Sequence, residues 1–167
     1  MQLWQLPWGK TSTNTSDERA ENSIINIEVY PLVYWKLGDA MRRVVVNMQN
    51  ELFCDAISET LRFSDNEFDT YTVSSADHVV EECKWLSPYA LLMEVGTNAP
   101  WRLCDRIALG NAVKAKAPDC KVVLIVDENT HKAAAKDVRE AKKEGLIDQF
   151  VYGSISATYL ADIVDSL

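Results

Sequence analysis

From Arg42 onward the chain alternates between two hydrophobic rhythms. Val44–Met48, Ala90–Val95 and Val122–Val126 are short runs that are apolar almost throughout, the pattern of strands buried on both faces of a parallel sheet. Between them apolar residues recur at helical spacing. Leu52, Phe53, Ala56, Ile57 and Leu61 predict a helix over Glu51–Arg62, and Ala76, Val79, Val80 and Cys83 a second one. Pro100 opens a third, over Trp101–Ala117, with Leu103, Cys104, Ile107, Ala108 and Ala112 on one face. The charged, Ala-rich segment Lys132–Glu144 is a fourth, stopped by Gly145. Ile155, Tyr159, Leu160, Ile163, Val164 and Leu167 stripe a fifth. Phe68–Val73 is a strand of mixed polarity and Gln149–Tyr152 a short one, so both suit the edges of the sheet. Five β-α units make an α/β, three-layer domain with a parallel sheet of order 2-1-3-4-5.

The region before Arg42 reads differently. Residues 10–23 contain almost nothing apolar, and 1–23 are expected to form a disordered tail. Ile24–Leu37 is rich in β-branched and aromatic residues, including Tyr30, Tyr34 and Trp35. Residues 24–41 are therefore an extension with a possible extra strand, bent at Pro31. The domain proper is 42–167. A chain of 167 residues holds one domain with a real core. We expect deletion of residues 1–23 to leave the thermal midpoint nearly unchanged, and a large drop would place the tail in the core.

Composition narrows the function classes. A net charge of −8 argues against nucleic acid, and the basic segment Lys132–Lys143, interleaved with Asp137 and Glu140, reads as a solvated helix face. No apolar run approaches membrane-spanning length, and Met1–Lys10 lacks the form of a signal peptide. Cys54, Cys83, Cys104 and Cys120 contain no C-x-x-C pair. The first three fall on predicted apolar helix faces, as small buried residues in a reducing cytoplasm would. His78 and His131 lie at helix starts without a partner at i+3 or i+4, so no metal site is expected there. Ser154 and Ser156 read as helix N-caps, Asp127-Glu128 as solvated loop acids, and Gly96 as a lone glycine with no phosphate motif around it.

One carboxylate has a telling position. Glu94 closes the apolar run Pro88–Val95, at the C-terminal edge of the third strand, where open parallel sheets place their sites.

The unit spacing, the run Pro88–Glu94, and the run Gly145-x-x-Asp148-x-x-Val151 leading into the fifth strand resemble the receiver domain of bacterial two-component response regulators. The resemblance covers roughly Arg42–Leu167. It implies a flavodoxin-like fold and a role in phosphorelay signal transduction, and it makes Glu94 the equivalent of the phospho-accepting Asp. The two acids that hold Mg²⁺ in the family fall at Met48 and Gln49, or at Asn47 and Met48 one residue earlier. Neither register supplies two carboxylates for a hard cation. The switch hydroxyl falls at Val126, the aromatic switch residue at Gln149, the Lys at Tyr152 and the Pro after it at Gly153. The resemblance is thus to a degenerate receiver, a pseudo-receiver.

On this reading the chain is a stand-alone signalling protein and not an enzyme. It needs no cofactor or metal, contacts neither nucleic acid nor membrane, and carries no further output domain. The family's helix 4–strand 5–helix 5 face is then expected to bind a protein partner or a second copy. Glu94 is either a structural strand-end acid or a partial imitation of a phosphorylated Asp, hydrogen-bonded by Tyr152, Asn47, Gln49 or Asn98. Two rival readings are a receiver that still accepts phosphate and a flavodoxin-like binder of a small ligand.

Overall fold

The computed structural model describes residues 41–64 and 68–167. The expected tail (1–23) and the expected strand in Ile24–Leu37 lie outside the described residues. The elements alternate as β1 (Arg42–Asn47), α1 (Glu51–Arg62), β2 (Phe68–Thr72), α2 (Ala76–Leu86), β3 (Ala90–Val95), α3 (Leu103–Lys114), β4 (Lys121–Val126), α4 (Lys132–Lys143), β5 (Gln149–Tyr152) and α5 (Ala157–Asp165). The strands form a parallel sheet of order β2-β1-β3-β4-β5. The half-polar β2 and the short β5 are its edges. The register that matters for the site sets Asn47 opposite Met93 and Val126 opposite Tyr152.

Strand side chains alternate between faces, so the apolar runs feed two cores. Val45, Leu91, Met93, Val95, Leu124 and Val126 face α2, α3 and α4, where they meet Val79, Cys83, Val113 and Val138. Val44, Val46, Leu92, Val123 and Ile125 face the other way, against Cys54, Ile57 and Leu61 of α1 and Leu160 and Val164 of α5. Full burial of each such Val or Leu contributes roughly 1.5–3 kcal/mol before entropy is counted.

Helix ends follow their caps. Asn50 accepts the Phe53 N–H with its side chain and starts α1, and Ser156 does the same for Tyr159 at α5. Gly145 stops α4 with φ +73°. Its N–H donates to the Lys142 carbonyl and the next, from Leu146, to Ala141, the paired bonds of a Schellman turn that only glycine enters without strain.

The third helix departs from the sequence expectation. Pro100 precedes it in a loop, and the helix starts at Leu103. Cys104, Ala108 and Ala112, expected on the apolar face, are exposed. The buried positions are Arg106, Gly110 and Val113. The reason is physical: a guanidinium, and not an alkyl side chain, occupies the centre of the inward face. Leu52, expected inside α1, is exposed, and Cys54 takes the inward position. Ser154, expected as a cap, instead donates its hydroxyl to Glu128.

The Gly-x-x-Asp run ties two strands together. The Asp148 carboxylate accepts the Val122 N–H at 2.7 Å and pairs with Lys114 at 2.6 Å. Although partial burial works against the anion, these partners hold its carboxyl below the ordinary value of 3.8. A depressed folded pKa means the contribution is complete above that ordinary value and is lost as pH falls through the folded one. Asp148→Asn is expected to reduce stability at neutral pH by about 1–2 kcal/mol, with the gap to wild type closing in acid. Urea titrations at pH 7 and pH 3 check it, and an equal gap at both would remove the carboxylate from the account.

Candidate functional site at the C-terminal edge of the sheet

Glu94 is half-buried, between β1 and β4, and its Oε2 accepts the backbone N–H of Gln49 at 2.7 Å. The acid is therefore held by the turn that follows β1 rather than left free at a strand end. A hydrogen bond to a carboxylate is worth about 1.5–3 kcal/mol. Among the described residues, no hydrogen bond joins Glu94 to Tyr152, Asn47 or Asn98. Asn47 and Tyr152 have other partners.

Asn47 is fully buried at the end of β1. Its Nδ2 donates to the Val73 carbonyl at 2.5 Å, which ties β1 to the end of β2. Its Oδ1 accepts from Arg106 Nη1 at 2.6 Å. Arg106 is itself fully buried. It reaches from α3 across the top of the sheet, donates Nη2 to the Pro100 carbonyl at 2.7 Å and lies 4.2 Å from the Trp101 ring centroid. Among the described residues, its Nε has no hydrogen-bond partner. Burial lowers the Arg106 pKa to about 10, while the negative charges of Asp105 and Glu94 raise it. The group is still cationic at neutral pH, so a permanent positive charge sits beneath this edge, within the field of Glu94.

The β3–α3 loop is built around Trp101. Gly96 donates its N–H to the Trp101 carbonyl, and Trp101 to that of Asn98, both at 2.7 Å. A Cβ on Gly96 would lie 3.1 Å from Trp101 Cβ and 3.4 Å from Gln49 Oε1. The glycine thus serves close approach of Trp101, and its N–H is already taken, which leaves it no role as an anion cradle. Gly96→Ala is expected to displace Trp101 and lower stability by about 1–3 kcal/mol, as overpacking does. Unchanged Trp fluorescence and an unchanged thermal midpoint would count against that packing role.

The other positions singled out in the sequence diverge. Met48 turns away from the edge into the core under α1, 2% exposed. Val126 is fully buried on the opposite face. Gln49 meets Glu94 only through its main chain. The Gln149 side chain folds back to accept the Phe150 N–H. Tyr152 packs edge-on against Phe150, with centroids 5.5 Å apart, and its hydroxyl accepts from Arg139 of α4 at 2.6 Å. Asp127 is exposed and closes its own loop, accepting from the N–H groups of Asn129 and Thr130 and from the Thr130 hydroxyl. These bonds hold its carboxyl below the usual range, the Thr130 hydroxyl foremost. An open cavity of about 300 Å³ lies between Glu94, Asn50, Phe53, Asp127, Asn129 and Ser154.

The residues fit Mg²⁺ poorly. Octahedral Mg²⁺ wants several free, charged oxygens. Here the Asn47 oxygen is bonded to a guanidinium, one Glu94 oxygen is bonded to a main-chain N–H, Met48 offers a buried thioether, and the Arg106 cation already lies below. Among the described residues, no three His, Cys, Asp or Glu side chains are grouped to hold a metal. Cys54, Cys83 and Cys120 are buried as free thiols, whereas Cys104, expected to be buried, is exposed. No described helix is long and apolar enough to cross a membrane.

No protein-family model matches the chain, and no curated protein matches it in sequence. Solved structures do match in fold. An uncharacterised protein from Neptuniibacter caesariensis is 14% identical, with 75% of this chain and 85% of that one covered at a TM-score of 0.62. The signal receiver domain of the response regulator NarL from Mycobacterium tuberculosis is 18% identical over 74% and 93%, at 0.55. The response regulator TrrA from Thermotoga maritima, in complex with Mg(2+)-BeF, is 13% identical over 75% and 98%, at 0.58. The described residues therefore have the fold of response-regulator receiver domains.

Proposed function

We propose that this chain is a pseudo-receiver, a signalling protein that acts by protein contact and does not run an Mg²⁺-dependent Asp phosphorylation cycle. The observation that carries the proposal is the state of the sheet edge. Its strand-end carboxylate, Glu94, is bonded to Gln49, and the polar end of β1 is bonded to a buried Arg106. Phosphoryl transfer relies on a metal and on a nucleophile placed in line. Glutamate is a methylene longer than aspartate, and Met48 and Gln49 contribute no carboxylate. Val126 carries no hydroxyl to follow a phosphoryl group, and Tyr152 carries no ammonium to pair with one.

Arg106 supports a fixed state. Receivers of the resembled family use a bound cation to offset charge at this edge, whereas here a cation is covalently part of α3. The domain is read as non-enzymatic, cytoplasmic and free of cofactor, and as displaying the face made by α4, β5 and α5 to a protein partner or a second copy. Incubation with acetyl phosphate and Mg²⁺, followed by intact mass, is expected to show no added phosphoryl group. Calorimetric titration with Mg²⁺ is expected to show no saturable heat at millimolar concentration. A phosphoryl adduct, or Mg²⁺ binding that disappears in Glu94→Gln, would restore the phosphorylated-receiver reading.

The cavity beside Glu94 favours a second reading, a small-ligand binder of flavodoxin-like form. Its volume lies at the low end for ligand pockets. A ligand released on denaturation and seen by mass or absorbance would select that reading.

A further inference from the structure

The helix α4 has five cations against two acids, in a chain of net charge −8. Three of its exposed cations fall together. Lys132, Lys136 and Arg139, at i, i+4 and i+7, share one side of the helix. They line a surface cavity with Ala135, Tyr152 and Glu128. Arg139 is fixed there, its guanidinium donating to the Tyr152 hydroxyl. Elsewhere on the domain Lys84, Arg102, Lys114 and Lys143 each pair with a carboxylate. Among the described residues, none lies within ion-pairing distance of Lys132, Lys136 or Arg139.

We infer that this cavity is the recognition site for an acidic segment of a protein partner, whose Asp or Glu side chains seat between Lys132, Lys136 and Arg139 over the ring of Tyr152. The inference deepens the protein-contact reading above and rests on it.

Charge and shape select the occupant. A 12-residue helix spans about 18 Å, room for a short peptide segment. Glu140, four residues after Lys136, borders the positive side, and the −8 of the whole chain repels a polyphosphate backbone, which disfavours nucleic acid. Ala135 and Tyr152 also line the cavity, and Phe150 backs the Tyr152 ring, which offers the segment some apolar contact. Glu128 also lines the cavity, with Oε1 accepting from the Ser154 hydroxyl and Oε2 buried without a partner among the described residues, so acids of the segment seat at the side of Lys132, Lys136 and Arg139 and away from it.

The test uses the full chain and a fluorescent hexaglutamate peptide, with hexaglutamine and a single-stranded oligonucleotide as comparators. Saturable binding of hexaglutamate is expected, weakening as salt shortens the Debye length. Lys132→Glu with Lys136→Glu should weaken it at least tenfold. The control pair Lys84→Glu with Lys116→Glu makes the same change in net charge on other surfaces and should leave it within about twofold. If the first pair fails to fold, Arg139→Gln removes one cation and should still weaken binding severalfold. Absence of saturable binding, equal affinity for hexaglutamine, tighter binding of the oligonucleotide, or an equal loss in the control pair would each overturn the assignment. A phosphoryl adduct would instead overturn the underlying reading, so the two failures are distinct.

Discussion

Arg106→Ala is expected to destabilise the fold by about 2–4 kcal/mol, from a buried acceptor left without its donor and the packing lost around it. Truncation leaves a cavity beneath Trp101 and strips partners from the Asn47 oxygen and the Pro100 carbonyl. The orphaned, buried Asn47 oxygen costs about 1–3 kcal/mol, the Pro100 carbonyl at the exposed loop costs less, and the lost packing adds to both. Arg106→Lys keeps the charge but has no planar fork with which to reach two acceptors and stack on an indole, so recovery should be partial. Arg106→Met refills volume without hydrogen bonds and should fall between Ala and wild type. Urea unfolding of the three variants measures this order. A loss below about 1 kcal/mol for Ala would mean that Arg106 is a passenger, and a built-in cation would no longer support the pseudo-receiver proposal.

The fold was legible because strand and helix periods differ and the apolar runs are clean. Val44–Val46, Leu91–Met93 and Val123–Ile125 are buried on both faces, and such runs admit few alternatives to an inner parallel strand. The edges were legible for the opposite reason: Asp69, Thr70 and Tyr71 mix polarity in β2, and β5 is four residues long. Arg106 was not legible. In a helix pattern an arginine counts as outward-facing, so the sequence alone turns the apolar face of α3 toward Cys104 and Ala108. Its partner Asn47 sits one residue past an apolar run, where a polar side chain is ordinary. The signal lay in the conflict itself: Leu103, Ile107, Gly110 and Val113 form an inward stripe that passes through Arg106. Long-range polar pairs of this kind, 59 residues apart, have no local sequence period.

Tyr152 is a second case, and it corrects a specific expectation. The sequence offers Tyr152, with Asn47, Gln49 and Asn98, as one of four alternative partners for Glu94, beside a purely structural role for the acid. The Tyr152 side chain instead turns to α4, where Phe150 supports its ring and Arg139 binds its hydroxyl. The nearer donor to Glu94 is a main-chain N–H, which no reading of side-chain types reveals. The same correction divides the edge into two separate contacts, Glu94 with Gln49, and Tyr152 with Arg139.

That division fixes how two substitutions at this edge should combine. Glu94→Gln keeps the shape but replaces a charged acceptor with a neutral one, and it removes an anion from the field of Arg106. Loss of about 1.5–3 kcal/mol of stability is expected, at the lower end because the amide oxygen still accepts from Gln49. Tyr152→Phe breaks only the bond to Arg139, on an exposed surface, and should cost no more than about 1 kcal/mol. Since the two side chains share no partner, the double variant should show the sum of the two losses to within about 0.5 kcal/mol. Coupling well beyond that would mean the hydroxyl and the carboxylate meet in solution, as a single switch. Additivity would leave Glu94 as a fixed tie between β1 and β3. Any signalling response to Tyr152→Phe would then belong to the α4 surface, where a hydroxyl released from Arg139 changes how that cation is presented to a partner.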